Sequence, residues 1–396
     1  MSRLKRMHLV NYQVSGAVIY EIAFVYYFVI AFLQSSTYAD YVTQKAFHYL
    51  SLLSLGLVLF KIFFLDNREV KIFIFNMACL GLLVITWRTS QDFALLPMGI
   101  FILGARGVDF RQICKLYFII GTILLLFIML SSLTGLIKNL VYFRDQSNTM
   151  RQSFGIAYPT DFAAHVLFLV LSYIYIRFEK LKWTDYLVFA IIAYSLIVFC
   201  DARLSAIALL ISIPVTLIGK RATQGKLISS FIASFYWTIP IILAYFSCVS
   251  AIFFNSDNHI FEKTNRLLSG RLMLSHLAYK KYGFSLFGEH VVEHGWGGTK
   301  GLAMLKNNPS SYFFIDSSYV RIMLFFGIIA LLLVIFIMTL IAWRSIHSET
   351  FKLATVMVIV AISAMVEQRL IDLSYDPFLL ALFASTIDIK LKERIP

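Results

Sequence analysis

The sequence predicts an all-α integral membrane protein with about twelve transmembrane helices and one large extracytoplasmic loop. Of its 396 residues, 59% are apolar and 14% are charged, whereas soluble domains average roughly 45–50% and 25%. Apolar runs of about 20 residues, the length that crosses a bilayer as a helix, recur along the whole chain. This composition excludes a soluble nucleic-acid-binding protein, despite a formal net charge of +13.

Twelve candidate helices follow one another, and charged, Gly, Asn or Pro residues separate them. The fourth and the twelfth are short, so eleven spans or a re-entrant element are the alternatives. The chain is thereby divided into helices one to nine (1–254), the large loop (255–316) and helices ten to twelve (317–396). We expect the helices at about 14–34, 45–65, 70–88, 93–105, 115–137, 160–177, 185–200, 203–219, 229–254, 317–343, 352–367 and 374–389.

The charges of the loops predict the orientation of these helices. Segments on the N-terminal side hold 19 basic and 8 acidic residues, a net +11, and those on the opposite side hold 15 and 13, a net +2. Cytoplasmic loops carry the excess of Lys and Arg in membrane proteins. We therefore expect both termini in the cytoplasm and the large loop outside. The first apolar run lacks a small-residue cleavage site, so we interpret it as a retained helix.

The large loop is predicted to be functional, because a loop of this length in a compact protein usually is. Residues 265–282 within it are predicted to form one amphipathic helix. Ser269, His276 and Lys280 would make its polar stripe. Arg271 falls among the apolar positions instead, so we expect its side chain to point toward the membrane body.

Arginines on the external side are the main sign of function. The positive-inside rule disfavours them there, and a guanidinium group binds phosphate or carboxylate through two parallel hydrogen bonds. As a set they indicate an anionic ligand such as a lipid diphosphate. The alternative for each one is an ion pair or a position among the lipid headgroups. The candidates are Arg144, Arg151, Arg203, Arg271, Arg321 and Arg369.

Arg203 has the most specific predicted geometry. The sequence Cys-Asp-Ala-Arg at 200–203 is the only polar break between the seventh and eighth predicted spans, so we expect Arg203 to begin a helix. The free N–H groups at a helix N-terminus attract anions. Arg203 is therefore a candidate phosphate ligand, and the alternative is that Asp201 simply neutralises it.

Three residues are candidates for acid–base chemistry. Asp316 precedes the tenth span and is either the N-cap of that helix or a general base that takes a proton from a sugar hydroxyl. Glu367, which ends the eleventh span, is either half of a structural ion pair or an active-site carboxylate. His290 is the third, within a His-Val-Val-Glu-His sequence that is not in the order of zinc proteases. The chain has no nucleotide-binding motif and no paired Cys spacing, so no metal or cofactor is predicted.

Three segments carry a resemblance to a known family. They are RQSFGIAYPT at 151–160, NRLLSGR with YGFSLFG at 265–271 and 282–288, and IDSSYVRIMLFFGII at 315–329. They resemble segments of the Wzy-type polysaccharide polymerases of Gram-positive capsule and exopolysaccharide clusters, which are related to the O-antigen ligases. The layout of many spans with one large late external loop resembles that family over the whole chain.

The resemblance implies a metal-independent membrane glycosyltransferase of the GT-C type. Such an enzyme joins undecaprenyl-diphosphate-linked oligosaccharide repeat units into capsular, exo- or O-antigen polysaccharide at the outer face of the bacterial cytoplasmic membrane. A flippase and a chain-length regulator are the implied partners. The family's diphosphate-binding arginines would correspond to Arg203 and Arg271, with Arg151 as a further candidate. Asp316 stands where the ligases have a histidine that is thought to act as the base.

Two other functions stay open at this point. A ligase-like transferase would move a finished glycan to a different kind of acceptor. A flippase or transporter of lipid-linked oligosaccharide would perform no chemistry. Transporters usually show internal repeats and interrupted helices in matching halves, and neither is evident in this sequence.

Overall fold

The computed structural model describes residues 15–66, 69–144 and 149–386. These residues are mostly helical, and two short strands pair as an antiparallel hairpin, β1 (Val141–Arg144) and β2 (Thr149–Gln152). The helices before and after that hairpin are α1 (Gly16–Gln34), α2 (Gln44–Phe60), α3 (Val70–Ser90), α4 (Leu95–Gly104), α5 (Phe110–Leu133), α6 (Pro159–Arg177), α7 (Trp183–Cys200) and α8 (Arg203–Thr223).

The second half of the chain continues the bundle and inserts three short helices between two of its spans. The helices in order are α9 (Leu227–Ala233), α10 (Ile239–Phe253), α11 (His259–Leu267), α12 (Arg271–Tyr282), α13 (Gly298–Asn307), α14 (Ser318–Phe325), α15 (Gly327–His347) and α16 (Lys352–Val366). Helices α11 to α13 belong to the predicted large loop, which is therefore a folded segment.

Nine helices in the described part of the chain are long and apolar enough to cross a membrane. A 3-10 turn at Tyr236–Thr238 joins α9 to α10, and together they count as one of the nine. Helices α4 and α16 are shorter apolar helices. The prediction of a mostly helical, multi-pass membrane protein is confirmed, and these eleven helices lie where the first eleven spans were predicted.

The twelfth predicted helix, at 374–389, is not an α-helix over 374–386, and its last residues lie outside the described part. The segment contains turns and one 3-10 helix, Phe378–Leu382. The Asp376 carboxylate accepts a hydrogen bond from the backbone N–H of Phe378 at 2.7 Å, which favours a turn over a helix. The apolar residues of this 3-10 helix are buried in the protein core, so their hydropathy reflects packing and not a span.

The tenth predicted span is interrupted. Helix α14 ends at Phe325, and α15 begins at Gly327 in the left-handed region, with φ +89°. The first N–H groups of α15 have no partner within their own helix, and two of them donate to the carbonyls of Ser285 and Leu286, at 3.0 and 3.3 Å. Residues 284–288 therefore cap the N-terminus of α15. This N-terminus lies within the segment 317–343 that was predicted as one helix.

The helix predicted at 265–282 is likewise two helices. Ser269 and Gly270 between them have positive φ, 56° and 86°, a conformation that glycine adopts without steric cost. This break places Arg271 in the first turn of α12. His276 does not belong to a polar stripe: it is buried, and its Nδ1 lies 2.7 Å from the carbonyl oxygen of Ala251.

Helices α6, α8 and α16 form the centre of the bundle, and α8 packs against both of the others. The start of α8 and the end of α16 consequently meet, and Ser205 Oγ donates to Glu367 Oε1 at 3.2 Å. Ser318 Oγ of α14 donates to the carbonyl oxygen of Glu367 at 2.5 Å and accepts from Leu370 N at 3.2 Å. These bonds fix the chain after α16. We call this side of the bundle, which α11 to α13 cover, the loop end.

Gly327→Ala is expected to destabilise the protein more than Gly135→Ala. Both glycines have positive φ, 89° and 78°, so alanine at either position is strained by about 1–2 kcal/mol. At Gly327 the added methyl group would also meet the backbone of Leu286 and Gly288, whereas nothing lies within 4 Å of it at Gly135. Thermal unfolding of both purified variants in detergent measures the difference. Equal losses would show that residues 284–288 do not hold the break between α14 and α15.

Candidate active site

A cavity of about 640 Å³ lies at the loop end of the bundle. Its walls come from the β hairpin, the starts of α6, α8 and α12, and the segments on either side of α13. The fold thus brings residues that are far apart in the sequence into one chamber. Five of the predicted site residues line it: Arg151, Arg203, Arg271, Asp316 and Glu367.

The turn between α7 and α8 forms one side of the cavity. Asp201 adopts a left-handed conformation, with φ 45°, and Arg203 begins α8 as the sequence predicted. Arg203 Nε lies 2.8 Å from Asp201 Oδ1. The guanidinium group is 58% exposed, whereas Asp201 is buried. Both predicted features of Arg203 are therefore present, the helix start and the neighbouring acid.

Arg151 contacts the end of α7 at that turn and is only 8% exposed. Arg151 is directly opposite Tyr142 in the register of the hairpin. The two side chains therefore lie on the same face of the strand pair. Its Nε donates to the carbonyl oxygen of Cys200 at 3.1 Å, and its Nη1 donates to Tyr158 OH at 3.3 Å. Within the described residues Arg151 makes no ion pair with a carboxylate. Arg151 is therefore a buried cation without a counter-charge in the described part of the chain.

Arg271 lies between two carboxylates. Its Nε is 3.3 Å from Asp316 Oδ2, and its Nη2 is 4.0 Å from Glu367 Oε1. All three side chains are largely shielded from solvent, with 14%, 16% and 4% of their surfaces exposed. These two acidic neighbours neutralise the positive charge of Arg271, whereas no described acidic residue pairs with Arg151.

Burial and charge act in opposite directions on these two carboxyl groups. Burial raises the pKa of Asp316 above its usual range, against the opposing charge of Arg271. Burial also raises the pKa of Glu367 to about 7, again against Arg271. Asp161 nearby raises both pKa values further. A carboxyl group that titrates near neutrality can give or take a proton at physiological pH, so this cluster is suited to general acid–base chemistry.

Aromatic residues that sequence reasoning did not select form another side of the cavity. Trp296 and Tyr312 lie with their ring centroids 4.2 Å apart, and Tyr142 and Tyr158 with theirs 4.7 Å apart. Tyr142 OH donates to the carbonyl oxygen of Trp296 at 2.9 Å and joins the two pairs. We call these four residues the aromatic wall. A tryptophan within the glycine-rich Gly-Trp-Gly-Gly segment, 295–298, was the one available signal in the sequence.

Two of the predicted site residues lie outside the cavity lining. Arg321 pairs with Glu293 and with Asp92, and its guanidinium lies 4.2 Å from the centroid of the Phe325 ring. These contacts match the alternative of a structural ion pair. His290 Nδ1 lies 3.2 Å from the carbonyl oxygen of Ser90, away from the Arg271 cluster.

Arg369 is also outside the lining and pairs with two acidic residues. Its Nη2 lies 2.5 Å from Asp161 Oδ1, its Nη1 lies 3.3 Å from Asp372 Oδ2, and its guanidinium covers the Tyr375 ring. Asp161 is in the first turn of α6, so this pair braces one wall of the cavity. Arg144 ends β1, and its side chain lies outside the part of the chain that the structure describes.

Glu367→Gln is expected to remove a pH dependence from the stability of the protein. The pKa of Glu367 is raised in the folded state, so folding favours its protonated form. The free energy of unfolding should therefore fall as the pH rises from about 4.5 to about 7, and then level off. In Glu367→Gln the part of this fall that Glu367 contributes, on the order of 3 kcal/mol in the wild type, should be lost, and only the smaller part from other carboxyl groups such as Asp316 should remain.

Thermal unfolding in detergent between about pH 5 and pH 8 measures this effect. Glu349→Gln is the control, since Glu349 lies on an exposed turn before α16. That variant should keep the wild-type slope of stability against pH. If Glu367→Gln also kept the wild-type slope of stability against pH, the prediction that folding favours protonated Glu367 would be wrong.

The chain matches no known family model, no curated protein and no solved structure. The chemistry of the protein must therefore be deduced from the cavity itself. Its three parts are a buried arginine beside a helix start, an arginine between two carboxylates, and the aromatic wall.

Proposed function

We propose that this chain is a membrane glycosyltransferase that polymerises undecaprenyl-diphosphate-linked oligosaccharide repeat units. In the proposed reaction, on the extracytoplasmic face of the bacterial cytoplasmic membrane, the growing glycan leaves its lipid diphosphate and joins a hydroxyl group of an acceptor sugar. The observation that carries the proposal is Arg151, which lines the cavity and makes no ion pair within the described residues. A buried charge without a counter-charge is unfavourable by several kcal/mol, so this position fits an anionic ligand.

The other charges of the cavity favour a ligand with more than one negative charge. Four arginines line it, at 151, 203, 266 and 271, against three acidic residues, at 201, 316 and 367. The N-terminus of α8 adds backbone N–H groups that attract phosphate. Arg151 and Arg203 are both at the α7–α8 turn, since Arg151 donates to Cys200 O and Arg203 begins α8. A diphosphate has the several oxygens that such paired guanidinium groups bind.

The surroundings of the cavity support a donor attached to lipid. Phe143 of β1 lines the cavity and is 57% exposed, and Met150, its partner across the hairpin, is exposed too. The hairpin packs against α7, whose last turn presents exposed Phe199. In this proposal, these exposed apolar side chains mark the side on which the lipid chain would lie. A hydrocarbon chain would gain free energy by staying on this side while the charged head enters the cavity.

The proposed chemistry assigns a separate role to each charged group. The bond between the anomeric carbon and a diphosphate oxygen breaks, and undecaprenyl diphosphate leaves with the charge that Arg151 and Arg203 stabilise. A new bond forms between the anomeric carbon and the acceptor oxygen, whose proton passes to Asp316. We expected Arg271 on the diphosphate, but it lies between Asp316 and Glu367. In this proposal it is a positioning residue that keeps Asp316 charged and oriented.

Arg151→Gln should lower the rate of glycan transfer about 10²–10³-fold, because one fixed donor to the departing diphosphate is lost. Purified wild-type and variant proteins in detergent are given lipid-diphosphate-linked repeat units from the organism that makes the protein. Gel electrophoresis then follows the length of the product. A wild-type protein that lengthens no repeat would overturn the polymerase assignment, and a ligase or flippase would behave in that way.

Arg106→Gln is the matched control for this experiment. The Arg106 guanidinium also lies over an aromatic ring, 4.8 Å from the centroid of Phe383, but it follows α4 at the opposite end of the bundle. Within the described residues it makes no ion pair with a carboxylate. Its transfer rate should equal that of the wild type. A wild-type rate in Arg151→Gln would remove the main support for the proposal.

Asp316→Asn should lower the transfer rate by about 10²–10⁴-fold, the usual contribution of a general base. Binding of farnesyl diphosphate, a soluble isoprenyl diphosphate, should change little, because Arg151 and Arg203 are untouched. Asp372→Asn serves as the control, since Asp372 pairs with Arg369 outside the cavity lining. Transfer rates and calorimetric titration give the two readouts. If Asp316→Asn transferred glycan at the wild-type rate, Asp316 would not be the base.

A further inference from the structure

The aromatic wall contains polar groups that the protein leaves without partners. The Nε1–H group of Trp296 is buried and has no hydrogen-bond acceptor among the described residues. Tyr312 lines the cavity, and its hydroxyl makes no hydrogen bond to the rest of the described chain. A buried donor that lacks an acceptor is unfavourable by about 1–3 kcal/mol. The wall therefore fits a ligand that offers both a face for stacking and an acceptor for Nε1–H.

We infer that Trp296 and Tyr312 form the binding subsite for the acceptor sugar ring. This inference rests on the glycan transfer proposed above. A pyranose ring has an apolar face of C–H groups and a rim of hydroxyl groups. Its apolar face packs on aromatic rings, and a rim oxygen accepts from Trp296 Nε1–H. A hydrocarbon chain would fill the same space but would leave the indole N–H unpaired, so the wall is poorly suited to the lipid.

The wall adjoins both charged parts of the cavity. Tyr312 precedes Asp316 by four residues on a segment that includes no α-helix, and both line the cavity. Phe313 exchanges two backbone hydrogen bonds with His294, at 2.8 and 3.2 Å, which holds the segment of Trp296 beside that of Tyr312. A sugar on these rings would therefore present a hydroxyl group toward the Asp316 carboxylate.

The hairpin connects the same wall to the anion site. Tyr142 OH donates to Trp296 O at 2.9 Å, and Tyr142 is paired with Arg151 across the two strands. Tyr158 lies under the guanidinium of Arg151, with its ring centroid 5.3 Å away. The sugar subsite and the diphosphate subsite are thus built on one connected set of side chains, and the two substrates would be held at a fixed separation.

Two probes separate this inference from the proposed function. One is an oligosaccharide released by mild acid from the organism's own polysaccharide, and the other is farnesyl diphosphate. Isothermal titration measures the affinity of the full-length protein in detergent for each. Trp296→Leu and Tyr312→Leu should weaken oligosaccharide binding roughly tenfold or more, which corresponds to about 1.4 kcal/mol. Both variants should bind farnesyl diphosphate within about twofold of the wild type, which also reports that they are folded.

Two further variants complete the design. Trp296→Phe keeps a ring but removes the N–H group, so its loss of oligosaccharide affinity should be smaller than that of Trp296→Leu, and it replaces that variant if leucine prevents folding. Trp183→Leu is the control, because Trp183 is 75% exposed at the start of α7, at the end of the bundle opposite the cavity. Its affinity for both probes should equal that of the wild type.

The possible outcomes point to different conclusions. Unchanged oligosaccharide affinity in Trp296→Leu, Trp296→Phe and Tyr312→Leu would overturn the sugar subsite. The proposed function would stand in that case if Arg151→Gln lost farnesyl diphosphate binding. A wild-type protein that bound neither probe would overturn the proposed function, and the sugar subsite with it.

Discussion

The loop end of this bundle depends on the ion cluster centred on Arg271. A charge that is shielded from water is strongly destabilising unless an opposite charge lies beside it. Arg271 at the start of α12 meets Asp316 before α14 and Glu367 after α16, at 3.3 and 4.0 Å. Three segments from distant parts of the chain are held together by this one cation. Ser205 of α8 joins them through its bond to Glu367, so the same cluster shapes the floor of the cavity.

Arg151 is informative because the other buried arginines obey that constraint. Arg321 and Arg369 each have two acidic neighbours, and Arg271 lies between two carboxylates. In the described chain Arg151 has a backbone carbonyl, a tyrosine hydroxyl and a tyrosine ring around it, but no acid. The other shielded arginines are thus paired and Arg151 is not, which is why the proposal places the anionic part of the substrate beside Arg151.

Hydropathy predicted twelve helices, and the structure has helices at the first eleven of those positions. The prediction failed where the backbone depends on distant contacts. The break before Gly327 is held by residues 284–288, which no local pattern reveals. The buried apolar run at 374–386 was mistaken for a span because a packed core and a lipid face select the same side chains. For the candidate site, the helix start at Arg203 was predictable from the sequence, and the predicted site residues Arg203, Arg271 and Asp316 all line the cavity. The ion pairs of Arg321 were not predictable, since Asp92 lies 229 residues away.

The structure changes which arginine is the first candidate to bind the diphosphate, and the reason is the neutralisation of charge. Arg203 was placed first from its charge at a predicted helix start, and both Arg203 and Arg271 were placed first by the family resemblance. A sequence does not show whether an acidic residue neutralises each arginine. In the structure Arg271 lies between two acidic residues and Arg203 lies beside Asp201. Arg151 has no acidic partner among the described residues, so it becomes the first candidate for the diphosphate. Arg151 also shares its hairpin with Tyr142, which bonds to Trp296. An anion bound at Arg151 would therefore be positioned directly against the aromatic wall.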